Sequence, residues 1–427
     1  MKNIRRDWSA LAHEIDEILP EIISVRHHIH QYPELSNREF ETSKLIAEKL
    51  QSYGIEIQTG IAGTGVVGVI KCDEDGLVQA YRAELDALPL TERTDLPYAS
   101  KQKAIYAKAD GTAEEVGVMH ACGHDVHIAM VLGFAKFIAQ HKSKFKGTFK
   151  FIFQPAEEGA PDGESGGARQ MIQEGVLENP KPDICIGLHV TAGTFGEYRL
   201  GRHRTTASAD TFKLEIIGKS THAAFPWTGI DPVPLAAQII LAWQTIPSRQ
   251  TDLSQSMPPV ISVGRIYGGQ RHNILADKII LEGTIRTISD SQRDFVLERM
   301  RSIAMHYADS LDASIDFSLS SNNYISGQNH TELVEHIVPI LSELSDGKVI
   351  VDSGTYGTDD FAEYSRRIPS LFIRMGATPQ HLYESGSYIW PTHSAQFVAS
   401  DDAIKAGIKT FIYLSQHLSK FSFKGAL

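Results

Sequence analysis

The chain has 427 residues, more than one hydrophobic core normally serves, so two domains are expected. Its 42% hydrophobic and 22% charged residues are those of an ordinary globular protein, and a formal charge of −11 argues against nucleic acid or an anionic membrane as main partner. Cys72, Cys122 and Cys185 are too few and too scattered for a disulfide framework, no signal-like segment follows Met1, and no long apolar run occurs, which reads as a soluble, cytoplasmic protein.

Leu11, Ile15, Ile18, Ile22, Val25 and Ile29 keep helical spacing. A second helix is expected after Pro33, from Asn37 to about Tyr53, with Ser36 and Glu39 spaced as a capping box and Gly54 as its stop. Between them, Arg26-His27-His28-Ile29-His30 reads as end-of-helix cations and hydrogen-bonding groups, since Glu34 is the one acidic neighbour in sequence. Gly63 to Ile70 and Val78 to Leu85 read as buried strands. The second ends in Glu84-Leu85-Asp86, and alternation puts both carboxylates on one side, either supporting nearby ligands or solvated. Residues from about 99 to 117 are polar and look like a surface insertion.

That stretch leads into His120-Ala121-Cys122-Gly123-His124-Asp125-Val126-His127, which packs three histidines, a cysteine and an aspartate into eight residues. Thiolate, imidazole and carboxylate together suit zinc or manganese better than calcium or magnesium. Gly123 permits a sharp turn that aims Cys122 and His124 at one ion, at the start of a helix carried by Val126 to Ile138. A polar loop capping a helix, with Cys122 as a small buried apolar residue, is the plainer alternative and fits a lone Cys or His better than this cluster. The next strand, Gly147 to Phe153, runs into Gln154-Pro155-Ala156-Glu157-Glu158-Gly159. Adjacent glutamates at the end of a buried strand allow one to ligate a metal while the other handles a proton; an exposed acidic turn is the ordinary alternative. The strand Asp183 to Leu188 ends in His189, so two strands deliver candidate ligands at their C-terminal ends, where open α/β sheets place their sites.

From about residue 198 the texture changes. Thr211 to Ile217 and Lys278 to Ile288 alternate as strands, Asp231-Pro232 starts one helix, and Ser289 with Gln292 caps another whose buried face is expected at Leu297, Met300, Ala304, Tyr307 and Leu311. The expected fold class is α/β: a discontinuous catalytic domain, residues 1–197 and 313–427, with a mixed open sheet flanked by helices, and a smaller inserted α+β lid or dimerisation domain, residues 198–312. A helix from His330 to Leu344, a strand from Ser370 to Met375 and a helix from Asp402 to about His417 complete the first domain, with His393 in the loop before the last helix.

The runs Val118 to His127, Gln154 to Gly159 and Gly187-Leu188-His189-Val190 resemble the M20 metallopeptidase family, in particular its amidohydrolase branch of hippurate hydrolases, N-acyl-amino-acid deacylases and plant auxin-conjugate hydrolases. The likeness extends in the family's order from Arg26 to Ser394. It implies two divalent metal ions per subunit, zinc or manganese, with cobalt or nickel as further options. By the resemblance the ligands are Cys122, His124, Glu158, His189 and His393, the thiolate bridging both ions, and Glu157 is the general base acting on a metal-bridging water. It also implies that His222, in Gly218 to Ala224, binds the oxyanion from the partner subunit of a homodimer or larger homo-oligomer. Asn273, in Gly268 to Asn273, and Arg286, in Gly283 to Thr287, would contact substrate, Arg286 by pairing with a carboxylate; a salt-bridged surface arginine is the competing reading.

This chain departs from the family pattern at Glu84-Leu85-Asp86, where relatives commonly have Asp-Met-Asp, in the long polar insertion, at Thr358-Asp359-Asp360-Phe361, and at Ala395, where a proline often stands. The departures bear on substrate choice rather than catalysis. The expected function is hydrolysis of the amide of an N-acyl or N-aroyl amino acid, with the insert closing over the substrate. A dipeptidase or carboxypeptidase on the same scaffold is one alternative, with Asp86 or Asp360 as partner for a free amine. A non-catalytic metal-containing binding protein for amino-acid conjugates is another, weakened by having no use for Glu157.

Overall fold

The computed structural model describes residues 4–107, 112–254, 257–320, 323–419 and 421–423. They form two compact units, one of Met1–His203, Gln328–Asp352 and Glu363–Leu427, the other of Arg204–Gly327 and Ser353–Ala362. In chain order the first unit contributes α1 (Ile4–Gln31), α2 (Phe40–Ser52), β1 (Glu56–Ile61), β2 (Gly65–Lys71), β3 (Glu74–Glu84), β4 (Lys103–Ala107), β5 (Ala113–Gly117), α3 (His124–Gln140), β6 (Lys146–Gln154), α4 (Gly167–Gln173), β7 (Ile184–Thr191) and β8 (Tyr198–Gly201). The second unit follows with β9 (Ser208–Ile217), α5 (Pro232–Trp243), α6 (Thr245–Arg249), β10 (Val260–Gly268), β11 (Lys278–Thr287), α7 (Asp290–Asp309) and β12 (Ser314–Leu319). The chain returns to the first unit with α8 (Thr331–Leu344), β13 (Val349–Asp352), α9 (Ala362–Ser365), β14 (Ser370–Gly376), α10 (Gln380–Glu384) and α11 (Asp402–Leu418).

The first unit is built on a mixed eight-stranded sheet of order β1-β2-β6-β3-β7-β14-β8-β13. Its middle strands β6, β3, β7 and β14 are mutually parallel. They read as nearly unbroken apolar runs because both faces are covered. Helix α3 is buried along nearly all of its length, with Gln140 exposed at its end; it packs on β3, β6 and β7, and α1 and α11 pack on it in turn. The polar stretch before α3 forms the hairpin β4–β5, whose residues 108–111 lie outside the described residues.

The second unit is an antiparallel sheet of order β10-β11-β9-β12 covered by α5 and α7. In β9 Phe212, Leu214 and Ile216 turn inward while Lys213 and Glu215 face out, the period of two that one buried face imposes. Ser289 and Gln292 cap α7 reciprocally: the serine Oγ accepts from the Gln292 amide, and the Gln292 side chain accepts from the Ile288 amide.

Three expectations are corrected. The buried face of α7 is Val296, Met300, Ala304 and Ala308, with Tyr307 and Leu311 exposed. The residues that complete the inserted unit extend past 312, because β12 pairs with β9, and β8, from Tyr198, belongs to the large sheet. Ser36 and Glu39 form no capping box: α2 starts only at Phe40, and its first amides, those of Glu41 and Thr42, are accepted by the Glu34 carboxylate instead.

Candidate metal centre

Three neighbouring parallel strands deliver side chains to one edge of the large sheet. Strand β3 leads into Asp86, β6 leads into Ala156-Glu157-Glu158, and β7 carries His189 near its end. Helix α3 adds His124 at its first turn, entered through Gly123 in a left-handed conformation (φ 85°). A Cβ at Gly123 would lie 2.5 Å from Val190 Cγ2, so glycine is required both by the turn and by its close approach to β7. The fifth contributor, His393, is drawn in from a distant loop by its amide, which donates to the Ala121 carbonyl at 2.8 Å.

These elements bring the five sequence-derived ligand candidates together. Cys122 Sγ lies 3.4 Å from His189 Nε2 and 3.3 Å from His393 Nε2, and His393 Nε2 lies 3.1 Å from Glu158 Oε1. Donors on one tetrahedral ion, bound at about 2.0–2.3 Å, stand about 3.4–3.6 Å apart, so this spacing suits a shared cation. Two donor sets, Cys122 with Glu158 and His393, and His124 with Glu157 and Glu158, each fall within 4.8 Å and have Glu158 in common. His124 Nε2 is buried with no hydrogen-bond partner, while its Nδ1 lies 2.8 Å from the Asp86 carbonyl oxygen, an arrangement that aims Nε2 into the cluster. Glu157 is buried, with Oε2 3.7 Å from His124 Nε2.

A third grouping, Glu84, His124, His127 and His189, is a support rather than another ion site. His127 spends both nitrogens: Nδ1 donates to Glu84 Oε2 at 2.7 Å, and Nε2 accepts from the Val190 amide at 2.8 Å. Glu84 is also paired with buried Arg82. Burial, with the charges of Glu158, Glu157 and Glu84, holds the Cys122 thiol well above its usual range, so a thiolate there would need a cation beside it. Burial would lower the His124 pKa, but Asp86, Glu84 and Glu158 outweigh it and carry the ring up to about 10. Acidic side chains thus outnumber the basic ones around these donors, which is the chemistry of a divalent-cation site.

The other candidates belong to the second unit. His222 and Asn273 lie side by side, the Ala223 amide donating to the Asn273 carbonyl at 3.1 Å and a bridge pairing His222 with Ile274. His222 is exposed, and its Nδ1 accepts from the Ala224 amide at 3.1 Å, so the neutral ring carries its proton on Nε2. Arg286 is not with them. It lies eight residues along β11 from Lys278, the end where the His222 and Asn273 loops meet, or about 26 Å at strand rise. Its half-buried guanidinium donates to Thr284 Oγ1 and Ile285 O, and among the described residues no carboxylate forms an ion pair with it; Asp210 is taken bidentately by Arg293 at 2.8 and 2.7 Å.

Residues 80–417 match the family model described as Peptidase family M20/M25/M40. The chain belongs to this family. It is 35% identical over 399 residues to thermostable carboxypeptidase 1 of Saccharolobus solfataricus, covering 93% of this chain and 95% of that one. It is 37% identical over 369 residues to N-acetyl-L-cysteine deacetylase of Bacillus subtilis, covering 84% and 81%. Among solved structures, the YXEP protein of Bacillus subtilis, a dinuclear metal binding peptidase from the M20 family, superposes with a TM-score of 0.77 at 31% identity, covering 95% of this chain and 99% of that one.

Around this M20 centre lies a layer of buried polar residues, of which the sequence points only to Glu84 and Asp86. The histidine-rich end of α1 is one part of it: Arg26 Nε donates to Asp125 Oδ2 at 2.8 Å, and His30 bridges Asp125 at 2.9 Å and Glu92 at 3.1 Å. These groups meet acids 62 to 99 residues away, so sequence neighbours gave no signal of it. Asp86 takes the Ser36 hydroxyl at 2.7 Å and the Glu158 amide at 2.9 Å, and Glu84 takes His127, so both are supports rather than solvated acids. His120 is fully buried, pushed down to about 3 by burial and therefore neutral.

Proposed function

We propose that this M20 chain is a two-metal amidohydrolase that cleaves the amide of N-acyl or N-aroyl amino acids. The observation that carries the reading is a buried carboxylate, Glu157, set next to Glu158 and facing His124 within the cluster of Cys122, Glu158, His189 and His393. Two divalent ions held by Cys122, His124, Glu158, His189 and His393, zinc or manganese by donor softness with cobalt or nickel also compatible, would supply Lewis acidity at the acyl oxygen and the attacking water. Glu157 takes the proton of that water and returns it to the leaving nitrogen, so one carboxylate serves both half-steps. His222 donates its Nε2 proton to the oxygen on which charge develops. Asn273 lies beside it, and Arg286, half-buried without a carboxylate partner, is suited to a substrate carboxylate.

His222 with Asn273 and Arg286 stand at opposite ends of one sheet, which supports their serving different active sites, His222 reaching the site of a second subunit in a homodimer. The edge strand β10 exposes Ile266 and Tyr267, 59% and 40% accessible, and would pair with its copy across a two-fold axis. The second unit then serves as lid and dimerisation domain. No helix among the described residues is long and apolar enough to cross a membrane, and Cys72, Cys122 and Cys185 are all free, which accords with a cytoplasmic location.

The deciding experiment is Glu157→Gln assayed on N-acetyl and N-benzoyl amino acids with metal content measured in parallel. The expected result is a loss of about 10²–10⁴ in kcat with metal retained; unchanged turnover removes Glu157 from this role. Carboxypeptidase action is the second reading, favoured by the relative of that name at 35% identity. For dipeptides, Asp86 is one candidate partner for a free amine: its Oδ2 is bonded to Ser36 and the Glu158 amide, while its buried Oδ1 has no hydrogen-bond partner. Faster cleavage of dipeptides than of the matching acyl-amino acids would favour the peptidase.

A further inference from the structure

Glu39 is wholly buried, yet its carboxylate caps nothing in the helix it precedes. Glu34 does that work, accepting from the amides of Glu41 and Thr42. Glu39 is thereby left to reach the turn after β6, where its Oε1 accepts from the Ala156 amide at 2.9 Å while Oε2 accepts from the Thr64 hydroxyl at 2.7 Å. Ala156 has a left-handed backbone, φ 52°, which costs a residue with a Cβ and persists only where its surroundings hold it. On the other side of Glu157, the Glu158 amide donates to Asp86 Oδ2 at 2.9 Å. The two amides that flank Glu157 are therefore each held by a buried carboxylate from elsewhere in the chain.

We infer that Glu39 is a positioning residue for Glu157: it pins the strained Ala156 turn so that the neighbouring carboxylate meets the water and leaving nitrogen in fixed geometry. The inference rests on Glu157 as the base. A buried carboxylate beside a second one is expensive, and both burial and the Asp86 charge push Glu39 up, to about 7. An apolar residue would fill the same space without that cost, so what the carboxylate adds is its hydrogen bonds to the turn. Glutamine can make the same two bonds, accepting from Ala156 with its oxygen and donating to Thr64 with its amide; alanine can make neither.

The test compares Glu39→Gln and Glu39→Ala in metal-loaded protein, with metal content, KM, kcat and the kcat–pH profile read for each. The expected result is kcat within about 3-fold of the parent for E39Q and a fall of about 10–100-fold for E39A, with KM and metal content held. In a Glu157→Gln background, E39A should then lower the residual rate by less than about 3-fold, because its effect passes through the missing base. If E39A fails to fold, Thr64→Val, which removes only the hydroxyl that orients Glu39, is expected to lower kcat about 3–10-fold without metal loss. Parent-like kcat in folded E39A or T64V, or a loss that tracks metal content, overturns the inference. Active E157Q would instead overturn the assignment of the base, so the two failures are told apart.

Discussion

Replacing Arg26 by methionine tests how the first unit holds the loop that carries Cys122 and His124. Arg26 and Asp125 are each 1% exposed, and the guanidinium also donates to Asp401 at 2.6 Å and to the Tyr98 hydroxyl at 3.0 Å. Methionine fills most of the space but leaves Asp125, an ion held well below the usual carboxylate range chiefly against burial by Arg26 and His30, with the His30 ring alone at 2.9 Å. Removing one partner of a buried pair costs about 3–5 kcal/mol. His30 retains part of the compensation, so about 3 kcal/mol is expected, or a fall in melting temperature of about 6 °C for a unit of this size. Urea unfolding of metal-loaded protein should show a lower midpoint with an unchanged slope. Asp125→Asn added to Arg26→Met removes the stranded charge and should recover more than half of the loss. A single variant within about 1 kcal/mol of the parent, or a double variant costing the sum of both, would refute the account.

His30→Gln should destabilise in a pH-dependent way. Burial opposes the charged ring, but Asp125 and Glu92 overcome it and raise the pKa to about 9, above the unfolded value. The stabilisation is therefore fully present below about pH 6.5 and lost as the pH rises through about 9, so the gap between variant and parent in thermal melts should close over that window. His222→Ala should lower kcat by about 10²–10³ while metal content stays constant; an effect on KM alone would exclude the oxyanion role. Chelator should abolish hydrolysis, and calorimetric re-addition of zinc in buffers of differing ionisation enthalpy should show about two protons released near neutral pH, from the Cys122 thiol and the His124 ring, both held protonated in the chelated protein. Metal binding without proton release would contradict that assignment.

Local pattern was enough for the elements that carry the site. The apolar runs of β3, β6, β7 and α3 and the alternation of β9 and β11 can be read directly, because burial on one face or both leaves a periodic trace in the chain. The clustering of His120 to His127, the Glu157-Glu158 pair and His189 at a strand end were legible for the same reason: each is a local concentration of chemistry on a predictable element. The edge strands β1 and β13 left no such trace, since strands of four to six residues at a sheet edge bury too little to impose a period, and β8, though interior, is only four residues long. Strand β12 does alternate, Ile315, Phe317 and Leu319 turning inward, and only its pairing with β9 shows that it belongs to the inserted unit.

The partners of the polar residues were decided by tertiary structure alone. Nothing within ten residues of Arg26 or His30 announces Asp125, Asp401 or Glu92 as their counter-charges. Ser36 and Glu39 have the spacing of a capping box, but Glu34 caps α2 in their place and frees both side chains to bond Asp86, Thr64 and Ala156. Residue type and spacing thus determined which groups would gather at the ends of the parallel strands. Which carboxylates are tied up as supports and which stay among the candidate ligands depends on hydrogen bonds between distant segments, Glu39 and Ala156 being 117 residues apart, and those are set only when the sheet and its helices close around them.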